Sequence, residues 1–232
     1  KRVQEVEAKQ GLEAAKRAFR DEMIALGHVE RVKNLYRVRD KRSSRVDFFQ
    51  PNGPQQEYLA ELPRRSVILK TRQLGFTTLL GIRELDFALF EPNFHSGILA
   101  HKQDAVKKLF EKCIKFPYKH FVKDWGHLYA PVLKNDNTTT LFFEHDGLGR
   151  DLNSSVSVAF EFRSGTLNVL HVSEAAFVTN DRLAASVQTV PDTGEVLYES
   201  TPNGRGGDFF EQWQNWKKLG TLAPYRGFFF PW

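Results

Sequence analysis

The chain has 232 residues, of which 41% are hydrophobic and 13% aromatic, so it can bury one substantial core. Its formal net charge of +5 favours polyanionic partners, although charge alone is a weak argument. The single cysteine, Cys113, excludes an internal disulfide framework and a cysteine-based zinc site, and no stretch has the roughly 20 apolar residues that span a bilayer. We therefore expect a soluble cytosolic protein without a membrane partner, with Cys113 in its core.

The first predicted element is an amphipathic helix from residue 1 to about residue 26, ended by Gly27. A basic stretch follows and is interpreted as a connector, which gives an N-terminal segment of residues 1–45 and a main domain of residues 46–232. The apolar helix positions are Leu12, Ala15, Phe19, Met23 and Leu26, and the basic positions are Arg37, Arg39, Lys41, Arg42 and Arg45. Because the chain begins without methionine and ends in the apolar run YRGFFFPW, we expect a fragment of a longer protein.

Short apolar runs then alternate with longer helical segments. The runs cover residues 66–70, 96–100, 157–162, 167–173 and 195–200. Such alternation predicts an α/β domain with a mainly parallel sheet that is covered on both faces.

Residues 67–78, VILKTRQLGFTT, are similar to the end of a phosphate-binding loop of the form G-x-x-x-x-G-K-[ST]. Phe76 occupies the usual lysine position, and Lys70 occupies the position of the first glycine. Gly75 allows close approach of a phosphate, and the Thr77 hydroxyl is placed to hold magnesium. Lys70 or Arg72 would supply the missing positive charge, and the alternative is an ordinary strand, turn and helix with surface cations.

A helix is predicted directly after this loop. We expect Thr77 and Thr78 to cap its start and residues 91–93 to end it. One apolar face is formed by Leu79, Ile82, Leu85 and Leu89. A loop between a strand and a helix start is the context that anion binding requires, because the helix start presents free N–H groups.

Three polar segments accompany this loop. Ser173 and Glu174 end an apolar strand where ATPases place an acid pair, so Ser173 would contact magnesium through water and Glu174 would polarise the attacking water. The turn of residues 200–204 closes another strand where nucleotides bind in parallel sheets. Upstream, the amide of Gln55 or Gln56 is a candidate partner for adenine, or a solvent-facing group at a helix start.

Taken in order, these segments resemble the ATPase domain of the terminase large subunit, the DNA-packaging motor of tailed bacteriophages. The resemblance spans about residues 48–232. Some members of that family carry the loop lysine at the start of the loop, as this chain does. It rests on P-N-x-x-Q (51–55), K-x-R-Q-L-G-F-T (70–77), H-V-S-E-A-A-F (171–177) and E-S-T-P-N-G (199–204). Phe76 and Ser173 depart from the commoner pattern of that family.

The resemblance implies a P-loop NTPase fold of the ASCE type that binds ATP and Mg²⁺. Gln55, or in another register Gln56, is similar to the family's adenine-contacting glutamine, and Glu174 is similar to its catalytic glutamate. Arg163 resembles an arginine that reaches a neighbouring subunit's nucleotide, although a structural ion pair is an equally good interpretation. The residues that resemble the ATP-binding loop are Lys70, Thr71, Arg72, Gln73, Leu74, Gly75, Phe76, Thr77 and Thr78. The residues that resemble the coupling motif are Ser200, Thr201, Pro202, Asn203 and Gly204. The implied metal positions are Thr77, Ser173 and Glu174.

The implied partners are double-stranded DNA, further copies of the chain in a ring, the portal protein and the terminase small subunit, in the cytoplasm of an infected bacterium. Family members continue beyond a similar FFPW segment into a nuclease domain, so we expect no DNA cleavage by this chain, which ends at Trp232. The lysine-rich segment of residues 101–121 would line a DNA channel or be a solvated helix face. A helicase-like ATPase and a degenerate DNA- or portal-binding module are the alternative functions.

Overall fold

The computed structural model describes residues 11–40, 43–145 and 152–231. The helices are α1 (Leu12–Leu26), α2 (His28–Asn34), α3 (Gly53–Glu61), α4 (Phe76–Phe90), α5 (Gln103–Leu109), α6 (Phe116–Trp125), α7 (Asn180–Val187) and α8 (Asp208–Leu219). A π-helical segment, Phe110–Lys115, joins α5 to α6. The strands are β1 (Arg37–Arg39), β2 (Val46–Phe48), β3 (Arg65–Lys70), β4 (His95–Ala100), β5 (Val132–Asp136), β6 (Thr140–Glu144), β7 (Asn153–Ala159), β8 (Val169–Ser173), β9 (Glu195–Ser200) and β10 (Arg226–Phe230).

An eight-stranded sheet organises the described chain, in the order β10-β3-β9-β8-β4-β7-β6-β5. The strands from β10 to β7 are parallel, and β6 and β5 extend the sheet in antiparallel pairing. Val67 and its neighbour Ile68 belong to different hydrophobic clusters, so apolar side chains cover both faces. The predicted α/β fold with a mainly parallel, covered sheet is confirmed.

Four of the five predicted strands lie where the sequence indicated, as β3, β4, β8 and β9. The exception is β7, which covers residues 153–159 rather than 157–162. Residues 160–162 leave the ladder because they contact α7 and its flanks: the Phe162 N–H donates to Ser186 Oγ at 3.1 Å, and Phe162 packs in the second core cluster. The alternating apolar pattern of the sequence therefore extends beyond the end of the hydrogen-bonded strand.

The N-terminal segment packs onto the main core. Helix α1 ends at Leu26 before Gly27 as predicted, whereas residues 1–10 of the expected helix lie outside the described part of the chain. The expected basic connector is a hairpin of β1 and β2, in which Arg37 stacks 3.9 Å from the centroid of the Phe48 ring. Lys41 and Arg42 lie outside the described residues.

Helix α4 is buried on nearly all sides rather than on one face. The predicted apolar positions are buried, but so are the polar side chains of Arg83, Glu84 and Asp86. Asp86 is fully buried because α2 and the chain after it cover this side of α4: Asp86 accepts hydrogen bonds from Arg31 Nε and from Tyr36 Oη at 2.8 Å. The N-terminal segment thus covers the helix that follows the loop.

The lysine-rich segment forms α5, the π-helical segment and the start of α6. Val106, Phe110, Cys113 and Ile114 are buried and its lysines are mostly exposed, so the segment presents a solvated face rich in lysine. Burial raises the pKa of the Cys113 thiol to about 11, so Cys113 is a core residue. Across the described ranges, no helix is both long and apolar enough to cross a membrane.

Candidate functional site

Three neighbouring parallel strands bring the predicted site residues to one edge of the sheet. Strand β9 lies between β3 and β8, and their carboxyl ends carry Lys70 on β3, Ser173 on β8 and Ser200 on β9. The loop of residues 71–75 leaves β3 at this edge and leads into α4. The edge therefore combines a loop, a helix start and three strand ends, which is where parallel sheets bind nucleotides.

The loop backbone has the conformation of an anion-binding turn. Gln73 and Gly75 have positive φ angles, 69° and 74°, and α4 begins directly after Gly75. A Cβ atom at position 75 would lie 2.9 Å from Gln55 Nε2 and would displace that amide, and the positive φ itself favours glycine there. Such turns at a helix start direct N–H groups and positive dipole towards a bound anion.

Thr77 and Thr78 do not cap this helix, contrary to the prediction. The N-cap residue is Gly75, and no side chain caps the helix start. Thr77 Oγ1 instead donates a hydrogen bond of 2.6 Å to Glu199 Oε1 across the site. The Thr77 hydroxyl is therefore directed at a carboxylate and away from the backbone of its own helix.

Phe76, in the usual lysine position, is fully buried. Its ring stacks on Phe230 with centroids 5.1 Å apart and meets the edge of Tyr58 at 5.9 Å. The side chain at position 76 thus points into the core and gives the loop no charge.

Lys70 is a buried cation at the end of β3. Its Nζ lies 2.9 Å from Glu199 Oε2 and 3.4 Å from Glu174 Oε1. Burial alone lowers the pKa of Lys70, but the two carboxylates outweigh burial and hold that pKa above its ordinary value. Lys70 is therefore charged beside the loop, whereas Arg72 is exposed.

Glu199 is the centre of the polar contacts and was not among the predicted site residues. It is fully buried on β9, and its Oε1 also accepts a hydrogen bond of 3.0 Å from Ser173 Oγ. Burial raises the pKa of Glu199, yet hydrogen bonds and charges from His171 and Lys70 bring it to about 2. The sequence signal was a glutamate inside an apolar strand, EVLYES.

His171 lies beneath this centre, between two carboxylates. Its Nδ1 is 3.3 Å from Glu84 Oε1 and its Nε2 is 3.5 Å from Glu199 Oε1, and all three side chains are fully buried. Burial alone lowers the pKa of His171, but the two glutamates raise it to about 9. The charged imidazolium of His171 therefore stabilises the carboxylate of Glu199.

Glu174, the predicted catalytic base, directly follows β8 and has a left-handed backbone, with φ 55° and ψ 51°. Its Oε2 accepts hydrogen bonds from the Thr201 N–H at 3.2 Å and from Thr201 Oγ1 at 3.1 Å, and Ser200 Oγ lies 3.4 Å away. Asn203 Nδ2 donates to the Ala176 carbonyl at 2.9 Å. The turn of residues 200–204 therefore holds the segment that contains Glu174.

The side-chain amide of Gln55 makes its hydrogen bonds to nearby backbone groups. Its Oε1 accepts from the Asn52 N–H at 3.0 Å in a capping box of α3, and its Nε2 donates to the Leu74 carbonyl at 3.1 Å. Gln56 Nε2 donates to the Pro51 carbonyl at 2.8 Å. Gln55 thus ties α3 to the loop, and an adenine contact from either glutamine stays a prediction.

Arg163 lies apart from these contacts. It follows β7, which is separated from β8 by β4, and 77% of its side chain is exposed. Its Nε lies 3.0 Å from Glu161 Oε2. An exposed arginine is free to reach another subunit, and the same arginine also has a structural ion pair, so both interpretations of Arg163 stay open.

The donor atoms at the edge suit magnesium. The described residues contain no group of three or more His, Cys, Asp or Glu side chains arranged to hold a metal. Magnesium does not require one, because it keeps several waters and takes one or two protein oxygens together with nucleotide phosphates. A threonine hydroxyl and carboxylates beside a phosphate loop are such hard oxygen donors.

The fold that carries this strand, loop and helix is shared by solved structures. Two structures of the ATPase domain of the large terminase of Thermus phage P74-26 are 18% and 17% identical to the chain, with TM-scores of 0.63 and 0.62 over 78% of this chain and 81% of theirs. A large terminase from a thermophilic bacteriophage is 13% identical, with a TM-score of 0.57 over 78% of this chain and 45% of that one.

A further structure of the latter terminase, in complex with ATP-γ-S, is 14% identical, with a TM-score of 0.52 over 72% of this chain and 39% of that one. No protein-family model matches the chain, and no curated protein matches it in sequence. The chain therefore has the fold of phage large-terminase ATPase domains, and its activity is a separate question.

Proposed function

We propose that the chain is the ATP-hydrolysing motor module of a tailed-phage large terminase and moves double-stranded DNA into a procapsid. The observation that carries this proposal is the convergence of Lys70, Thr77 and Glu174 on one phosphate-type loop at the carboxyl edge of the sheet. A lysine, a hydroxyl and a glutamate so placed are the parts that phosphoryl transfer to water requires.

Each residue of the loop then has a chemical task. The backbone from Lys70 to Thr78 cradles the phosphates. Lys70 neutralises the negative charge that develops on them, and it does so from the start of the loop because Phe76, in the usual lysine position, is buried in the core. Glu174 accepts a proton from the attacking water. Magnesium, when bound, would supply positive charge that withdraws electron density from the phosphates.

The turn of residues 200–204 is a suitable coupling element. Its Thr201 binds the Glu174 carboxylate, so a change in hydrogen bonding at Glu174 on hydrolysis is transmitted to this turn. Arg163 would act on the nucleotide of a neighbouring copy in a ring. We propose double-stranded DNA, the portal protein and the terminase small subunit as partners, in the cytoplasm of the infected bacterium.

A second candidate function is a degenerate module that binds DNA or the portal without hydrolysis. Two observations favour it: Phe76 is buried where a lysine is usual, and Ser173 stands where an acid is usual. The motor proposal has the stronger support, because Lys70 and the two glutamates restore the missing charges at the same edge.

Magnesium-dependent ATP hydrolysis, measured with and without double-stranded DNA, tests the proposal. We expect Glu174→Gln to lower turnover by about 100-fold or more while ATP still binds, because only the proton acceptor is lost. The exposed Glu211→Gln is the matched control and should hydrolyse ATP like the parent. A parent that binds ATP without turnover, at concentrations that assemble rings and with DNA present, would support the degenerate module instead.

A further inference from the structure

We propose that Glu199 supplies the carboxylate of the magnesium shell, in place of an acid at the end of β8. This inference rests on the proposed function, since it names a residue of the same ATP site. In P-loop ATPases the ion is held by the loop Ser or Thr and by an acid that follows a neighbouring strand. Here that strand, β8, ends in Ser173, which carries no charge.

Strand register places Glu199 directly beside Ser173. The two residues are partners in the parallel ladder of β8 and β9, so their side chains leave the same face of the sheet from adjacent strands. The longer glutamate side chain brings its Oε1 to 3.0 Å from Ser173 Oγ. A carboxylate from β9 therefore reaches the place where an acid from β8 would lie.

The same oxygen contacts the loop. Glu199 Oε1 accepts the 2.6 Å hydrogen bond from Thr77 Oγ1, the hydroxyl that the loop pattern assigns to magnesium. One carboxylate oxygen thus lies beside two of the three metal positions that the sequence indicated, Thr77 and Ser173, the third being Glu174. With the nucleotide phosphates and water, a threonine hydroxyl and one carboxylate complete the hard-oxygen environment that magnesium prefers.

The surroundings of Glu199 keep it in this position. Lys70 lies against its Oε2 and His171 against its Oε1, so a fully buried carboxylate is held between two cations. A purely structural ion pair would need only these two partners. The two hydroxyl donors from the loop and from β8 distinguish Glu199 from such a pair and direct its Oε1 towards the phosphate loop.

Metal affinity, separate from hydrolysis, tests the inference. The probe is Mn²⁺, whose free concentration is read by electron paramagnetic resonance in the presence of the protein and the non-hydrolysable analogue AMP-PNP. We expect Glu199→Gln to weaken Mn²⁺ binding about tenfold or more. AMP-PNP affinity in EDTA should change far less, and the exposed Glu211→Gln should bind Mn²⁺ like the parent.

A double variant provides the reciprocal test. Because position 173 and position 199 are register partners, Glu199→Gln with Ser173→Asp moves the carboxylate to β8 and should recover most of the lost Mn²⁺ affinity. The inference is overturned if Glu199→Gln binds Mn²⁺ like the parent, or if Ser173→Ala lowers Mn²⁺ affinity more than Glu199→Gln does. If Glu199→Gln does not fold, Glu199→Asp takes its place. Weaker Mn²⁺ binding by Glu199→Asp than by Glu211→Gln supports the inference, and equal binding overturns it.

The result also separates this inference from the proposed function. If the parent binds AMP-PNP and Glu199→Gln leaves Mn²⁺ affinity unchanged, the inference is overturned but the proposed function is not. If the parent does not bind AMP-PNP, either with metal or in EDTA, both the inference and the proposed function are overturned.

Discussion

Lys70 and Glu199 form a buried ion pair between neighbouring strands, with Nζ and Oε2 2.9 Å apart. The side chain of Lys70 is 6% exposed and that of Glu199 is fully buried, so water screens this pair weakly. Lys70 also faces Glu174 at 3.4 Å. The ammonium group of Lys70 therefore faces two carboxylates next to the loop that would receive phosphates.

Lys70→Met tests the displaced lysine, since methionine keeps the apolar stem and removes the charge. We expect ATP affinity to fall about tenfold or more and turnover to be lost, because phosphates would meet the carboxylates of Glu174 and Glu199 without the positive charge of Lys70. Stability in urea should fall by about 3 kcal/mol, because Glu199 loses a buried partner. The exposed Lys217→Met is the control. Parental ATP affinity in Lys70→Met would assign the phosphate contact to Arg72, which Arg72→Ala would then check.

Gly75→Ala tests the loop conformation. The added Cβ would meet Gln55 Nε2 at 2.9 Å, and alanine is disfavoured at φ 74°. We expect a loss of about 1–2 kcal/mol in stability and weaker ATP binding in a fluorescence titration. Gly206→Ala is the control, because an added Cβ there would have no atom within 4 Å and the φ of Gly206 is not in the left-handed region. Equal behaviour of the two variants would contradict the role given to Gly75.

The buried imidazolium of His171 predicts that stability falls at high pH. Its folded pKa of about 9 lies above the ordinary histidine value, so its contribution is fully present below about pH 6.5 and is lost as pH rises through about 9. We expect the melting temperature of the parent to fall by about 5 °C over this interval. His171→Gln should melt lower at pH 6.5 and lack most of the decline, whereas the exposed His127→Gln should follow the parent. A flat parental profile would mean that His171 is neutral.

Asp86→Ala tests how the N-terminal segment is attached. Asp86 is fully buried on α4, and its removal leaves His28 without its carboxylate and Arg31 with only that of Glu91, 3.7 Å away. We expect a loss of about 3–5 kcal/mol, with earlier protease cleavage in α1 and α2 than in the sheet. Asp21, whose side chain is 73% exposed, supplies the control Asp21→Ala. A parental protease pattern in Asp86→Ala would show that apolar packing alone holds the segment.

The sequence predicted the parts of the fold that depend on local pattern. Continuous apolar runs with flanking polar residues identified β3, β4, β8 and β9, because strands buried on both faces have that composition. The antiparallel strands β5 and β6 were missed, since β5 is largely exposed and has little apolar pattern. The hairpin of β1 and β2 was missed because its arginines stack on aromatic rings that are distant in sequence, such as Phe116 beneath Arg39.

The candidate site was predictable only where its residues lie in a loop with a recognisable spacing. Lys70, Thr77 and Glu174 were found in this way and do lie at one edge. Glu199 was missed because its role depends on strand order: it faces Ser173 only because β9 is inserted between β3 and β8. His171 was missed for the same reason, since Glu84 reaches it from α4. Spacing along one segment carries no information about such neighbours.

The left-handed backbone at Glu174 has an evolutionary consequence. A glutamate at φ 55° costs about 1 kcal/mol relative to a residue that adopts this conformation freely. Glycine or asparagine would fit the same backbone with less strain. Under the proposed function, selection for turnover would maintain a glutamate at this position despite that strain. We then expect a related chain with glycine or asparagine at this position to lack ATP hydrolysis.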